Sequence, residues 1–284
     1  MTGTADGSPT LDVVRSCLGY VPEFVGHEFP PVYFDGRVGG NFEGSDAEAV
    51  RDESRATVRR QVAHAYSCCV ERFPLSVRNR STGDVQPTVT AFSVGRSTGS
   101  GMLLSASSPQ APGVIFLAAD WPLSNPYWLA SLIAHESTHQ ALYFREAESS
   151  PVRPSSLGYS PWKRTLRPGR WVWHAFWTFS CQLAMLGEAL ATEQQLLADE
   201  PPLVVFVADM QARVELCLRS LIDSNIVISP EIGRCQAALN TLDRLTGGLP
   251  PGFAQAKETA RSAVFEEYRE WADAMVSQPE GSRD

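Results

Sequence analysis

The chain has 284 residues, 43% hydrophobic and 20% charged, with a formal net charge of −8. That size and composition suit a soluble enzyme with a sizeable core, and the acidic balance argues against nucleic acid or an anionic membrane as main partner. No stretch of about 18 apolar residues is free of charge, so no membrane span is expected.

In chain order, residues 1–9 are small and polar, without the basic and apolar regions of a secretory signal. They are expected to form a disordered tail, as are residues 277–284, with a single catalytic domain over 10–276. A short helix is expected over Leu11–Leu18, and a Gly-, Pro- and aromatic-rich ordered loop over Pro22–Gly44. Asp46–Arg72 reads as a helix capped by Ser45 or Asp46 and ended by Pro74, with Val50, Val58, Val62, Ala65, Tyr66 and Cys69 near helical spacing. Short strands are expected at Leu75–Arg78, Thr88–Val94, Met102–Ser105 and Val114–Ala118, separated by Gly, Ser and Pro. A helix follows over Pro126–Glu148, then a Pro- and Arg-rich connection over Pro151–Gly169. Further helices are expected near Trp171–Asp199, Leu203–Ser224, Pro230–Thr246 and Pro251–Val276. The layout is α+β and mainly helical, a small sheet preceding a helical half.

The six cysteines, Cys17, Cys68, Cys69, Cys181, Cys217 and Cys235, contain no Cys-x-x-Cys pair. Buried free thiols in a cytoplasmic protein are the expectation. The Gly-rich stretches at 35–40 and 95–101 lack the Lys-Ser/Thr of a P-loop and the spacing of a dinucleotide fingerprint, so both read as turns. His64 and Cys68 sit four apart with no further ligand nearby and read as core rather than a metal site.

The informative motif is His135-Glu136-Ser137-Thr138-His139, inside the apolar run that begins at Tyr127. Residues four apart on a helix share a face, so both imidazoles can grip one metal ion. Glu136 can then approach a metal-bound water or hold a ligand without being one. A third ligand is needed. A His six residues after His139 is excluded, because Arg145 stands there. Between Ser149 and Gly187 there is no Asp or Glu; the interval holds one histidine, His174, and the first carboxylate after it is Glu188. These two lie about 21 Å apart along one helix, so only one reaches the metal. His174 is the choice, with Trp173, Phe176, Trp177 and Phe179 expected to form a dry wall around it. The acid-free interval also carries Arg153, Lys163, Arg164, Arg167 and Arg170. It reads as a solvated basic loop or as a clamp for a dianionic small molecule.

The HExxH pentad at 135–139, Pro161-Trp162, Leu166-Arg167-Pro168, and His174 followed by Phe176 and Phe179 together resemble the HExxH-type peptide modification proteins. That family is regarded as iron- and 2-oxoglutarate-dependent peptide β-hydroxylases encoded with ribosomally made, post-translationally modified peptides. The likeness spans about residues 125–190; where the family reads Leu-His-Gly, Trp173 and Ala175 flank His174. The resemblance implies Fe(II) held by His135, His139 and His174, with 2-oxoglutarate as cosubstrate. It implies Arg167, and Arg170 second, on the cosubstrate's distal carboxylate, Glu136 orienting a ligand or water, and a precursor peptide as substrate. The alternative is a zinc metallopeptidase in which Glu136 is the general base and Glu188 or His174 the third ligand, since imidazole binds zinc and iron alike.

Overall fold

A computed structural model describes Leu18, Tyr20 and residues 29–34, 47–49, 51–73, 75–78, 82–97, 104–119, 125–193, 201–249 and 251–277. The architecture is α+β and mainly helical, with six helices and small sheets among those residues. The chain falls into two compact units, the first 1–150 with Ala184–Leu186, the second Pro151–Leu183 with Gly187–Asp284.

In the first unit, β5 (Ala91–Ser97) and β7 (Val114–Ala118) run parallel at the middle of a five-stranded mixed sheet. β7 reads Val-Ile-Phe-Leu-Ala, apolar at every position, as a strand buried on both faces requires. β1 (Val32–Tyr33) pairs parallel and β2 (Ala47–Ala49) antiparallel with β5. β6 (Ser105–Ser107) pairs antiparallel with β7, at the far end of the strand order. β3 (Ser76–Arg78) and β4 (Val85–Pro87) form a separate ladder. Two helices pack together in this unit, α1 (Asp52–Arg72) and α2 (Pro126–Glu148), and α2 also packs on β6 and β7. Phe92, Ile115, Phe116, Leu117, Leu129 and Ile133 are fully buried in this unit.

The helix expected from Asp46 begins at Asp52, and residues 47–49 form β2 instead. Ala47-Glu48-Ala49 favours helix locally, but its ladder with Gly95–Ser97 overrides that preference. Asp52 and Glu53 then supply the acidic first turn that suits a helix N-terminus. Of the strand expected at Met102–Ser105, Met102 and Leu103 lie outside the described residues, Leu104 is not in a strand, and β6 runs over Ser105–Ser107. The expected helix over Leu11–Leu18 lies outside the described residues except at Leu18, and the Gly-rich stretch 35–40 lies wholly outside them. Gly95–Ser97 of the second stretch belongs to β5. On α1, Cys68 is buried as a core reading expects, whereas His64 is exposed rather than part of the core.

In the second unit, the expected Pro- and Arg-rich connection contains a hairpin of β8 (Leu157–Ser160) and β9 (Thr165–Pro168). Its turn carries no Asn-Gly or Asp-Gly signal; Arg164 adopts the left-handed conformation (φ 52°), and its N–H donates to Ser160 O at 2.8 Å. Arg213 donates to Pro161 O at 2.6 Å and pairs with Asp209 and Glu267, while Glu267 also meets Arg164 at 2.6 Å, so the turn is pinned by charge. Helices α3 (Gly169–Thr192, apart from Ala184–Leu186), α4 (Pro201–Asp223), α5 (Ser229–Gly247) and α6 (Pro251–Ser277) complete the unit. α4 packs against α5, α6 and β8. A core cluster joins Tyr159 of β8 to Ala212 and Leu216 of α4 and Val264 of α6, with Tyr268 and Trp271 against it. Cys68, Cys69, Cys181, Cys217 and Cys235 are buried free thiols, and burial pushes the Cys217 thiol well above its ordinary pKa. Among the described residues, no helix is long and apolar enough to cross a membrane.

Candidate metal centre

Helix α2 starts at a capped end: the Asn125 side chain accepts from Tyr127 N and Trp128 N at 3.0 and 3.3 Å, and Pro126 takes the first turn, where its missing N–H costs nothing. Nine helical positions later the motif begins, and its residues divide by face. His135 and His139 are half-exposed, with ring centroids 5.2 Å apart and planes inclined at 65°. Tyr143, one more turn along, stacks on His139 at 6.0 Å and 20°. The three residues at 135, 139 and 143 therefore form one accessible aromatic stripe.

The intervening residues are buried and tie the helix to its surroundings. Glu136 is 3% exposed, and its carboxylate accepts from Ser105 Oγ at Oε1 and Ser107 Oγ at Oε2, both at 2.7 Å. Ser105 and Ser107 are two apart on β6 and share one face, so a Ser-x-Ser strand is matched to a single carboxylate. Ser137 Oγ lies 2.5 Å from Thr88 Oγ1 and 3.2 Å from Tyr20 Oη; Thr138 Oγ1 accepts from Tyr20 Oη at 3.4 Å and donates to Ala134 O at 2.7 Å. Gln140 accepts from Gly113 N at 3.1 Å and donates to Ser108 O at 3.4 Å, closing both ends of the β6–β7 connection on α2. Gly113 is needed there: φ is 78°, and a Cβ would sit 2.5 Å from Thr90 Oγ1. None of these supporting groups stands out in the sequence; alternation of Ser105 and Ser107 is the signal that could have found the two serines.

His174, Arg167 and Arg170 lie in the second unit, gathered around one indole. The Arg167 and Arg170 guanidiniums sit 5.8 and 4.9 Å from the Trp171 ring centroid, and the fully buried His174 ring meets Trp171 edge-on at 5.5 Å. Burial lowers the Arg167 pKa from its ordinary value. The expected dry wall is partly committed elsewhere. Trp173 and Trp177, one turn apart on α3, both donate their indole N–H to Glu231 Oε1 of α5, at 2.8 and 3.0 Å. Arg234 meets Glu231 Oε2 at 3.1 Å. Phe179 stacks flat on Trp162 at 3.7 Å. Glu188 is buried on the same helix as His174, 8% exposed.

The structure thus brings His135 and His139 together, seats Glu136 beside them on β6, and groups Arg167, Arg170 and His174 about Trp171. Among the described residues, no three His, Cys, Asp or Glu side chains gather into a complete metal cluster. Two imidazoles on one helix face, neither sealed from solvent, are a donor pair that fits zinc or iron. No protein-family model matches the sequence, and no curated protein is significantly similar to it.

Proposed function

We propose that the chain is an Fe(II)- and 2-oxoglutarate-dependent hydroxylase that acts on a side-chain Cβ of a ribosomally made precursor peptide. His135 and His139 are the paired ligands, and His174 is the third in this reading. Iron with 2-oxoglutarate and O2 supplies the oxidising power: one oxygen atom enters a C–H bond, the other enters succinate, and CO2 leaves. The chain's own residues bind and orient. Arg167, with Arg170 behind it, offers a planar fork for the distal carboxylate of the cosubstrate. The cost of burying Arg167 is offset when an anion arrives, which favours a dianionic ligand over a neutral one.

The observation that carries the reading is the engagement of Glu136. A general base for hydrolysis must meet a metal-bound water and take up its proton. Here both carboxylate oxygens already accept 2.7 Å hydrogen bonds from β6, which fixes the carboxylate in place and suits an orienting group. Buried free thiols fit action in the reducing cytoplasm.

The test is an anaerobically purified sample given Fe(II), 2-oxoglutarate and O2 with peptides encoded beside its gene. Succinate formed in step with the gain of one oxygen atom by the peptide is expected. Peptide cleavage with zinc, unchanged by removing oxygen, would replace this reading with a metallopeptidase.

A further inference from the structure

We propose that the outer edge of β6 is a docking strand for the main chain of an extended peptide, which adds to the sheet beside Glu136. This deepens the peptide-directed reading above and rests on it.

The register fixes which backbone groups face outward. β6 pairs antiparallel with β7, Ser105 opposite Leu117, Ala106 opposite Phe116 and Ser107 opposite Ile115. Ala118 N donates to Leu104 O at 2.9 Å, so 104/118 is a hydrogen-bonded pair, and by alternation so is Ala106 with Phe116. Ser105 and Ser107 are then the non-bonded pairs, and their N–H and C=O groups turn away from β7. Among the described residues, no other strand pairs with them.

Three features suit this edge to a peptide. It lacks the devices that usually block edge pairing: Leu104-Ser105-Ala106-Ser107-Ser108 has no Pro, no charge and no bulky side chain on the strand itself. On the opposite side of the sheet, β1 is preceded by Pro30 and Pro31, which have no N–H to offer. The edge is also half-exposed along all three residues. And it is rigid before anything binds, because Glu136 holds both serine hydroxyls while Gln140 holds Ser108 O and Gly113 N. A pre-ordered edge spares an incoming strand part of the entropy of docking.

A strand added here runs about 4.8 Å outside β6 and bonds through its main chain, so affinity is largely independent of peptide sequence. Its side chains alternate between the α2 face and the opposite face. The modified side chain and those two positions to either side therefore share one face, and selectivity is confined to that set.

The experiment uses the full chain and a pool of nine-residue peptides, randomised except for a central photoreactive benzoylphenylalanine. After illumination, cross-links are mapped by mass spectrometry. Cross-links concentrated on residues 104–108 and α2 are expected, with yield falling by about tenfold for a pool N-methylated at every residue, which removes the N–H donors on both edges of the strand. Cross-links that fall elsewhere, or that are indifferent to N-methylation, would overturn the proposal. So would loss of the 104–108 cross-links as the chain concentration is raised at constant excess of peptide, which would give the edge to a second copy. The experiment needs no metal or cosubstrate, so it separates from the succinate assay. Docking without succinate formation leaves the edge and removes the hydroxylase; hydroxylation with methylation-insensitive cross-links does the reverse.

Discussion

Glu136 is the residue on which most local geometry converges. Each serine hydroxyl that it accepts is a hydrogen bond to a charged group, contributing about 1.5–3 kcal/mol when buried. Replacing Ser105 and Ser107 together by Ala leaves the carboxylate without those donors, and a loss of roughly 3 kcal/mol in urea unfolding is expected. An unchanged midpoint would show that the clamp carries no stability. Tyr66 gives a second test at this scale. It is 8% exposed, and burial, with Cys69 nearby, pushes its phenol up to about 12 from 10.0. The neutral phenol is the form the fold favours. Its contribution is therefore complete below pH 10 and is lost as pH rises toward 12. Tyr66→Phe should flatten the fall in stability across that window, read from unfolding curves at successive alkaline pH values; an unaltered slope would contradict it.

Among the elements, α3 shows how a helix is oriented by polar atoms at its apolar face. Glu231, fully buried, gathers the indole N–H groups of Trp173 and Trp177 and so sets the rotation of α3 against α5. Glu231→Ala should cost about 3 kcal/mol, since two buried donors lose their acceptor, with a change in tryptophan emission; Glu231→Gln, which keeps an acceptor, should cost less. Equal losses for both would mean that the charge rather than the acceptor matters. The sequence foretold this helix from its apolar run and its start to within two residues, yet the Trp–Glu–Trp clamp was hidden because its partners are 58 and 54 positions apart. α2 was legible over its whole length for a different reason: Pro126 and a long apolar run mark it locally. β2 and the β8–β9 hairpin were not legible. One is made by pairing with a distant strand, the other by an arginine in a left-handed turn and ion pairs contributed by α4 and α6.

Across the whole molecule, the motif at 135–139 was readable because its pattern lies in five consecutive residues and the helix they need surrounds them. The face they present, half-exposed imidazoles over buried Glu, Ser, Thr and Gln, follows from helical periodicity alone. The serines, Gln140's two anchors and the edge of β6, unpaired among the described residues, depend on sheet register, which no local pattern encodes. The positive interval 149–187 was legible as composition; the structure divides it, giving Arg164 to Glu267 and grouping Arg167 and Arg170 about Trp171. In a chain of net charge −8 this cluster is where a small dianion is expected to bind. Arg167→Ala should raise the KM for 2-oxoglutarate by ten- to hundredfold, about 1.4–2.8 kcal/mol, with little change in peptide KM. An equal effect on both would place Arg167 outside the cosubstrate site.

The account rests most heavily on the seating of the metal, and anaerobic Fe(II) titration of the wild type beside His135→Ala, His174→Ala and Glu188→Ala tests it most directly. One tightly held iron per chain is predicted for the wild type and Glu188→Ala, with binding weakened at least about tenfold in both histidine variants. Loss of iron from Glu188→Ala with retention in His174→Ala, or a wild type that takes up none, would contradict it.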